Sequence, residues 1–319
     1  MVMCNRLAAA AIAALVMTGS IAFAADDQPS YPSATEAYRQ GVKALKAGGG
    51  VAALPALEYA AKHGVLGAQV KLARAYAAGR DVPKDDAKAF AYFEQIADSQ
   101  ADISPSSPIA KYAAEAFVAL GQYYLDGIAE KPLVANPGYA ADLFRHAASY
   151  FGNAEAQYRL ARLYLNGTGV EKNIGLAVNW LAIAAKKQHA AAQATLGEIL
   201  WRGEEVRERR ARGLALIILA RENAKDDAKE AKWIGSLYAE VLSKSDKGVR
   251  KDAEALLPVL SDVKAPAVLP PAKPAEVLAM PAEKAPQPNA PGSSAGSGAP
   301  PPAPIGVSVG FGGAPAQDN

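Results

Sequence analysis

Lys71, Arg74, Arg159 and Arg162 stand at fixed offsets from two leucines, Leu72 and Leu160. One residue before and two after each leucine, they fall off the apolar stripe that a helix would carry through it. Gln122 and Glu198 hold the matching places beside Leu120 and Leu196. These six side chains are the candidate partner-binding surface; the alternative is a solvated helix face. Tyr76, Tyr124 and Tyr164 also share one position, either as a ligand-stacking stripe or, as favoured here, as core residues whose hydroxyls need partners. His63, His146 and His189 could serve as a pH sensor, since histidine is the side chain that titrates nearest neutral pH, but they share no common repeat position and are expected at surface helix or loop sites without special role. Catalysis finds no support. No nucleophile elbow or paired metal motif is present, and Gly48-Gly49-Gly50 lacks the Lys-Ser/Thr of a phosphate loop. We expect no catalytic residue, metal or cofactor.

The composition agrees. Among 319 residues, 34 Lys and Arg nearly balance 32 Asp and Glu, which argues against a nucleic-acid protein. The single cysteine, Cys4, excludes a disulfide framework and any site of several thiolates. Aromatics are 7% of the chain, so a core must be built mainly from Ala, Leu and Val.

The elements that would position the candidate residues come from an internal repeat, which is sought before any local assignment. A small residue, a leucine four later, an aromatic or leucine four after that and a glycine three further on recur four times. The copies are Ala68-Leu72-Tyr76-Gly79, Ala116-Leu120-Tyr124-Gly127, Ala156-Leu160-Tyr164-Gly167 and Ala192-Leu196-Leu200-Gly203. The residue after each leucine is small: Ala73, Gly121, Ala161 and Gly197. This spacing predicts one face of a helix stopped by glycine. A second apolar register comes after each glycine: Ala89, Tyr92-Phe93 and Ile96-Ala97 in the first copy, Ala177, Trp180-Leu181 and Ala184-Ala185 in the third. A degenerate N-terminal copy places Gly41 where the others have leucine. Each unit is therefore helix, glycine-bearing loop, helix. One such hairpin cannot cover its apolar face, whereas stacked hairpins can. The leucines lie 48, 40 and 36 residues apart, the widest gap holding an insertion at residues 100–111 with Ser104-Pro105-Ser106-Ser107-Pro108 as punctuation. The fold expected is all-α, an α-solenoid of helix-turn-helix repeats over residues 34–224. Two helices at 225–263 break the register, with Trp233, Leu237 and Val241 as apolar positions of the first, and cap the array.

Both ends are of other material. Leu7 to Met17 is a short apolar run after a lone charge, Arg6, and Ala22-Phe23-Ala24 supplies a small-x-small site. Residues 1–24 thus predict a signal peptide cleaved after Ala24. The exported chain then has no membrane span and no cysteine. Residues 264–319 predict a disordered tail, since 13 of the 22 prolines lie beyond residue 264. Residues 305–311 alternate apolar residues with Gly and Ser, read as a tail or as a strand donated to another protein's sheet.

With the repeat laid out, Gly79-Arg-Asp-Val-Pro-Lys-Asp-Asp-Ala-Lys-Ala89 and Gly167-Thr-Gly-Val-Glu-Lys-Asn173 resemble the loop of Sel-one-like repeats, relatives of tetratricopeptide repeats. The fourth loop departs: residues 203–212 are heavily charged and lack the second glycine, which weakens the case for a regular hairpin there. The order of signal peptide, degenerate first repeat, residues 148–162 and terminal helices is similar to the alphaproteobacterial periplasmic negative regulators of exopolysaccharide production. That resemblance implies a non-catalytic periplasmic protein that binds the periplasmic domain of an inner-membrane sensor histidine kinase and holds it off. The long Pro-rich tail is not part of that pattern. Its reach across an envelope suits the alternative, an envelope scaffold or assembly protein using the repeats as an interaction platform. A hydrolase, suggested for cysteine-rich repeat relatives, is set aside because the mature chain would contain no Cys.

Overall fold

The structure, a computed structural model, describes residues 31–129, 133–204, 206–224 and 228–261. The residues read from the sequence as a signal peptide, 1–24, and as a disordered tail, 264–319, lie outside the described residues. Among those residues there are twelve α-helices and no strand beyond one isolated bridge, Ile128 with Leu133. Ten helices form five hairpins: α1 (Ala34–Lys46) with α2 (Gly50–Lys62), α3 (Leu66–Ala78) with α4 (Asp86–Gln100), α5 (Ala110–Asp126) with α6 (Pro137–Ser149), α7 (Ala154–Asn166) with α8 (Ile174–Lys186), and α9 (Ala190–Arg202) with α10 (Arg210–Asn223). α11 (Ala228–Lys244) and α12 (Lys247–Ser261) close the array. Each second helix packs on its own first helix and on the first helix of the next hairpin. This is an α-solenoid.

Local chemistry sets the helix ends. Ser33, Asp85, Asn136, Asn153 and Asn173 accept hydrogen bonds from backbone N–H groups of the first turns they precede. Gly79, Gly167 and Gly203 stop α3, α7 and α9 in the left-handed conformation, φ 63°, 70° and 66°, where a Cβ would be strained. The hairpin of α9 and α10, whose charged loop departs from the repeat, forms like the others. Its glycine stop is present, and Gly197 and Gly213 let α9 and α10 approach backbone to backbone.

The same packing rule runs through all five hairpins. The first helix carries a small residue, the eighth from the cap in α1, α3, α7 and α9 and the twelfth, Gly121, in the longer α5, and the second helix carries a small fourth and a large eighth residue. The second-helix pairs are Ala53 and Leu57, Ala89 and Phe93, Ala140 and Phe144, Ala177 and Leu181, Gly213 and Ile217. The key leucines, Leu72, Leu120, Leu160 and Leu196, are at most 5% exposed. Removing each such side chain from water contributes about 2 kcal/mol.

Several expectations need correction. Gly41 stands at the small position with Gly121 and Gly197, one residue after the leucine position assigned to it, because a Cβ there would meet Leu57 at 2.7 Å. Trp233 points outward, 38% exposed, and Ile234 takes the buried place in α11. Tyr76 is buried, but Tyr124, Tyr164 and Trp180 are only half-buried. His146 is buried at 5% exposure, its ring among Phe117, Tyr150 and Phe151, rather than at the surface. His189 caps α9, where Nδ1 accepts from Ala192 N–H.

Candidate functional site: the face of the first helices

A repeat places equivalent residues of successive first helices side by side, so long polar side chains on this face reach across from one repeat to the next. Arg74 on α3 grips Glu115 on α5 with two hydrogen bonds, Nε to Oε1 at 2.6 Å and Nη2 to Oε2. That hydrogen-bonded carboxylate raises the arginine's pKa despite partial burial. The guanidinium also lies 5.8 Å from the centre of the Tyr112 ring, and Lys111 Nζ lies 5.0 Å from the same centre. Lys71 is half-buried on α3, one turn before Ala75.

A second group links α5, α7 and α9. Gln122 donates to Asp126 Oδ2 at 2.7 Å and accepts from Arg159 Nη1. Arg159 pairs with Glu155 at 2.5 Å, one turn earlier on α7. Glu155 in turn meets His189 Nε2 at 2.7 Å. Because Nδ1 of His189 accepts the capping N–H, the neutral ring carries its proton on Nε2 and donates it to Glu155. Burial opposes the ionisation of Glu155, but the His189 hydrogen bond and the Arg159 charge outweigh it and hold the carboxyl below its ordinary pKa. Arg162 rests on Tyr158, donating to its hydroxyl at 3.0 Å. Glu198 pairs with Arg202 at 2.6 Å on α9.

The six candidate residues thus do lie on one kind of face, but not as one cluster. Arg74 joins Glu115, Gln122 joins Arg159, and Glu198 and Arg162 take partners on their own helices. Glu198 also borders two hollows. One, of about 420 Å³, lies between α7 and α9 over Leu165, Ile174 and Ile199; the other, of about 310 Å³, lies between α9 and α11 over Trp201, Leu237 and Val241.

Residues overlooked in the sequence complete the picture. Glu115 and Glu155 lie 40 residues apart, the same spacing as Leu120 and Leu160, so the repeat itself marked them. A second overlooked set is buried: Gln69, Gln157 and Gln193 each directly follow the register alanine. Their side-chain amides donate to Ala61 O, Ala148 O and Ala185 O, at 3.3, 3.1 and 3.1 Å, in the last turn of the preceding helix. They satisfy carbonyls that a helix end leaves unpaired. In α5 the place is taken by Phe117.

Among the described residues no group of three or more His, Cys, Asp or Glu side chains is arranged to hold a metal ion. Nor is any helix among them long and apolar enough to cross a membrane.

Comparison with known proteins gives this arrangement its context. The Sel1 repeat matches residues 67–100, 114–149 and 154–189. The exopolysaccharide production negative regulator of Rhizobium meliloti (strain 1021) is 33% identical over 216 residues, 68% of this chain and 78% of that protein. Its namesake in Rhizobium leguminosarum bv. viciae is 34% identical over 219 residues, 69% and 79% of the two chains. Two solved structures share the fold. A protective antigen of uropathogenic Escherichia coli strains with an SLR fold aligns with TM-score 0.55 at 24% identity, over 73% of this chain and 46% of that one. A Sel1 repeat protein from Oxalobacter formigenes aligns with TM-score 0.52 at 23% identity, over 72% and 87%.

Proposed function

The chain belongs to the Sel1-repeat family of the exopolysaccharide production negative regulators, and on that premise we propose that it is a periplasmic regulator acting by protein binding alone. It is exported by residues 1–24 and holds off the periplasmic domain of an inner-membrane sensor histidine kinase that controls exopolysaccharide production. The observation that carries this reading is the face of the first helices, where cations, carboxylates and tyrosines recur from repeat to repeat around Lys71, Arg74, Gln122, Arg159, Arg162 and Glu198. Such a surface recognises another polypeptide by charge and aromatic contact rather than by covalent chemistry.

The test is direct. The purified sensor domain is expected to be retained by the full chain at micromolar concentration, and deletion of the gene is expected to raise exopolysaccharide output. No retention would remove the kinase as partner. Unchanged exopolysaccharide after deletion would favour the second reading, an envelope scaffold, which the 13 prolines beyond residue 264 recommend as a long reach.

A further inference from the structure

The row of hairpins ends on a helix without a mate. α11 keeps the first-helix pattern: Ile234-Gly235 with Tyr238 repeats Leu120-Gly121 with Tyr124 and Leu196-Gly197 with Leu200. Ile234 is fully buried, as the leucines are. The last helix does not keep the pattern. α12 turns away after Ser245 and Asp246 and lies along α10 instead of α11. Arg250 secures that corner, donating to Ser245 Oγ at 2.9 Å and to Leu242 O at 2.8 Å.

The stripe of α11 that should meet a second helix is therefore open. In α9 this stripe is Ala190, Ala194, Gly197 and Trp201, all buried. The same positions in α11 are Ala228, Lys232, Gly235 and Ala239, of which Ala228, Lys232 and Ala239 are exposed. The glycines make the contrast concrete. A Cβ at Gly41, Gly121 or Gly197 would stand 2.7, 2.6 or 2.7 Å from the second helix of its own hairpin. A Cβ at Gly235 would meet nothing within 4 Å. Glycine inside a helix is unfavourable relative to alanine, and among the described residues Gly235 permits no close approach in return.

We propose that α11 is an acceptor for an amphipathic helix of a protein partner, which completes a sixth hairpin. The inference rests on the reading that the array binds protein, and it locates the seat at the C-terminal end. The five hairpins already present say what fits: a helix with a small residue at its fourth position and a large apolar one at its eighth. Lys232, in the middle of the stripe, calls for a carboxylate on the incoming helix. The chain's own C-terminal segment is the wrong material, since its prolines break helical hydrogen bonding.

The experiment titrates the purified periplasmic sensor domain into the full chain, wild type and G235L, by calorimetry, with light scattering on each protein alone. Leucine at 235 points into open space, so G235L is expected to melt no lower than wild type. It is expected to bind the sensor domain at least ~10-fold more weakly, the effect of a blocked central contact. Equal affinity of G235L and wild type would overturn the seat while leaving the protein-binding reading standing. No binding by wild type would overturn both. A wild-type dimer that G235L abolishes would make a second copy the occupant and overturn the partner helix.

Discussion

The close approach of α9 and α10 makes a prediction that separates two glycines of identical register. In Gly197→Ala the new Cβ would stand 2.7 Å from Gly213 O and from Ile217 Cγ1. For Ile217 Cγ1 that is roughly 0.8 Å inside ordinary carbon contact. Because one obstacle is backbone, α9 and α10 must part, and overpacking of this kind costs about 2 kcal/mol. Replacing a helical glycine by alanine returns about 1 kcal/mol. The net loss is about 1 kcal/mol, a fall in Tm of about 2–4 °C for an array of this size. Gly235→Ala has the same propensity gain and no obstacle, so its Tm rises by about 2–4 °C. Thermal unfolding followed by far-ultraviolet circular dichroism measures both. A Gly197→Ala protein as stable as Gly235→Ala would show that the two backbones are not in contact.

Three further sites respond to substitution or to pH. Gln157→Ala leaves Ala148 O without its donor in the buried turn and is expected to cost about 1–3 kcal/mol, seen as a lower urea midpoint; an unchanged midpoint would remove the role given to the buried glutamines. His146 has its pKa lowered from 6.5, chiefly by burial, with the Asp102 charge opposing. The unfolded chain then takes up the proton first, so stability is complete above pH 6.5 and declines as pH falls through the folded pKa. Glu155, also depressed, adds loss in the same direction at lower pH. His146→Phe is expected to flatten the upper part of that decline in urea unfolding measured across the pH range; an unaltered slope would refute the assignment.

The hairpins are legible in the sequence because a stacked helix pair tolerates few residue types at its closest points. Alanine, leucine and glycine at fixed offsets are what that geometry requires, so the columns through Leu72 and Leu160 can be read without coordinates. The pattern misleads where it loses an anchor. The first copy has Gln40 in the leucine place, so Gly41 fills the gap on paper although it stands one residue further on. In α11 the large aromatic, Trp233, masks Ile234-Gly235, although the latter continues the leucine-small pair. The burial of His146 is hidden because a lone imidazole carries no periodic signal; only its neighbours Phe117, Tyr150 and Phe151 reveal it.

The candidate site is legible as a face but not as a set of contacts, and the difference bears on which residues a partner can use. Arg74, with 54% of its side chain exposed, meets Glu115 in a pair that water already screens. Exposed pairs contribute about 0–1 kcal/mol, so a carboxylate of a partner can replace Glu115 at little cost. Arg159 differs: at 35% exposure it holds Glu155, which holds the cap of α9 through His189. Taking Arg159 for binding would unpick three helices. Arg162→Ala, losing only its rest on Tyr158, should therefore weaken sensor-domain binding with the Tm nearly unchanged. Arg159→Ala should lower the Tm as well, because Glu155 and the α9 cap lose their support. Calorimetric titration beside thermal unfolding separates the two effects. If Arg162→Ala leaves affinity intact while Arg159→Ala reduces affinity and stability in proportion, the first-helix charges serve the fold rather than recognition.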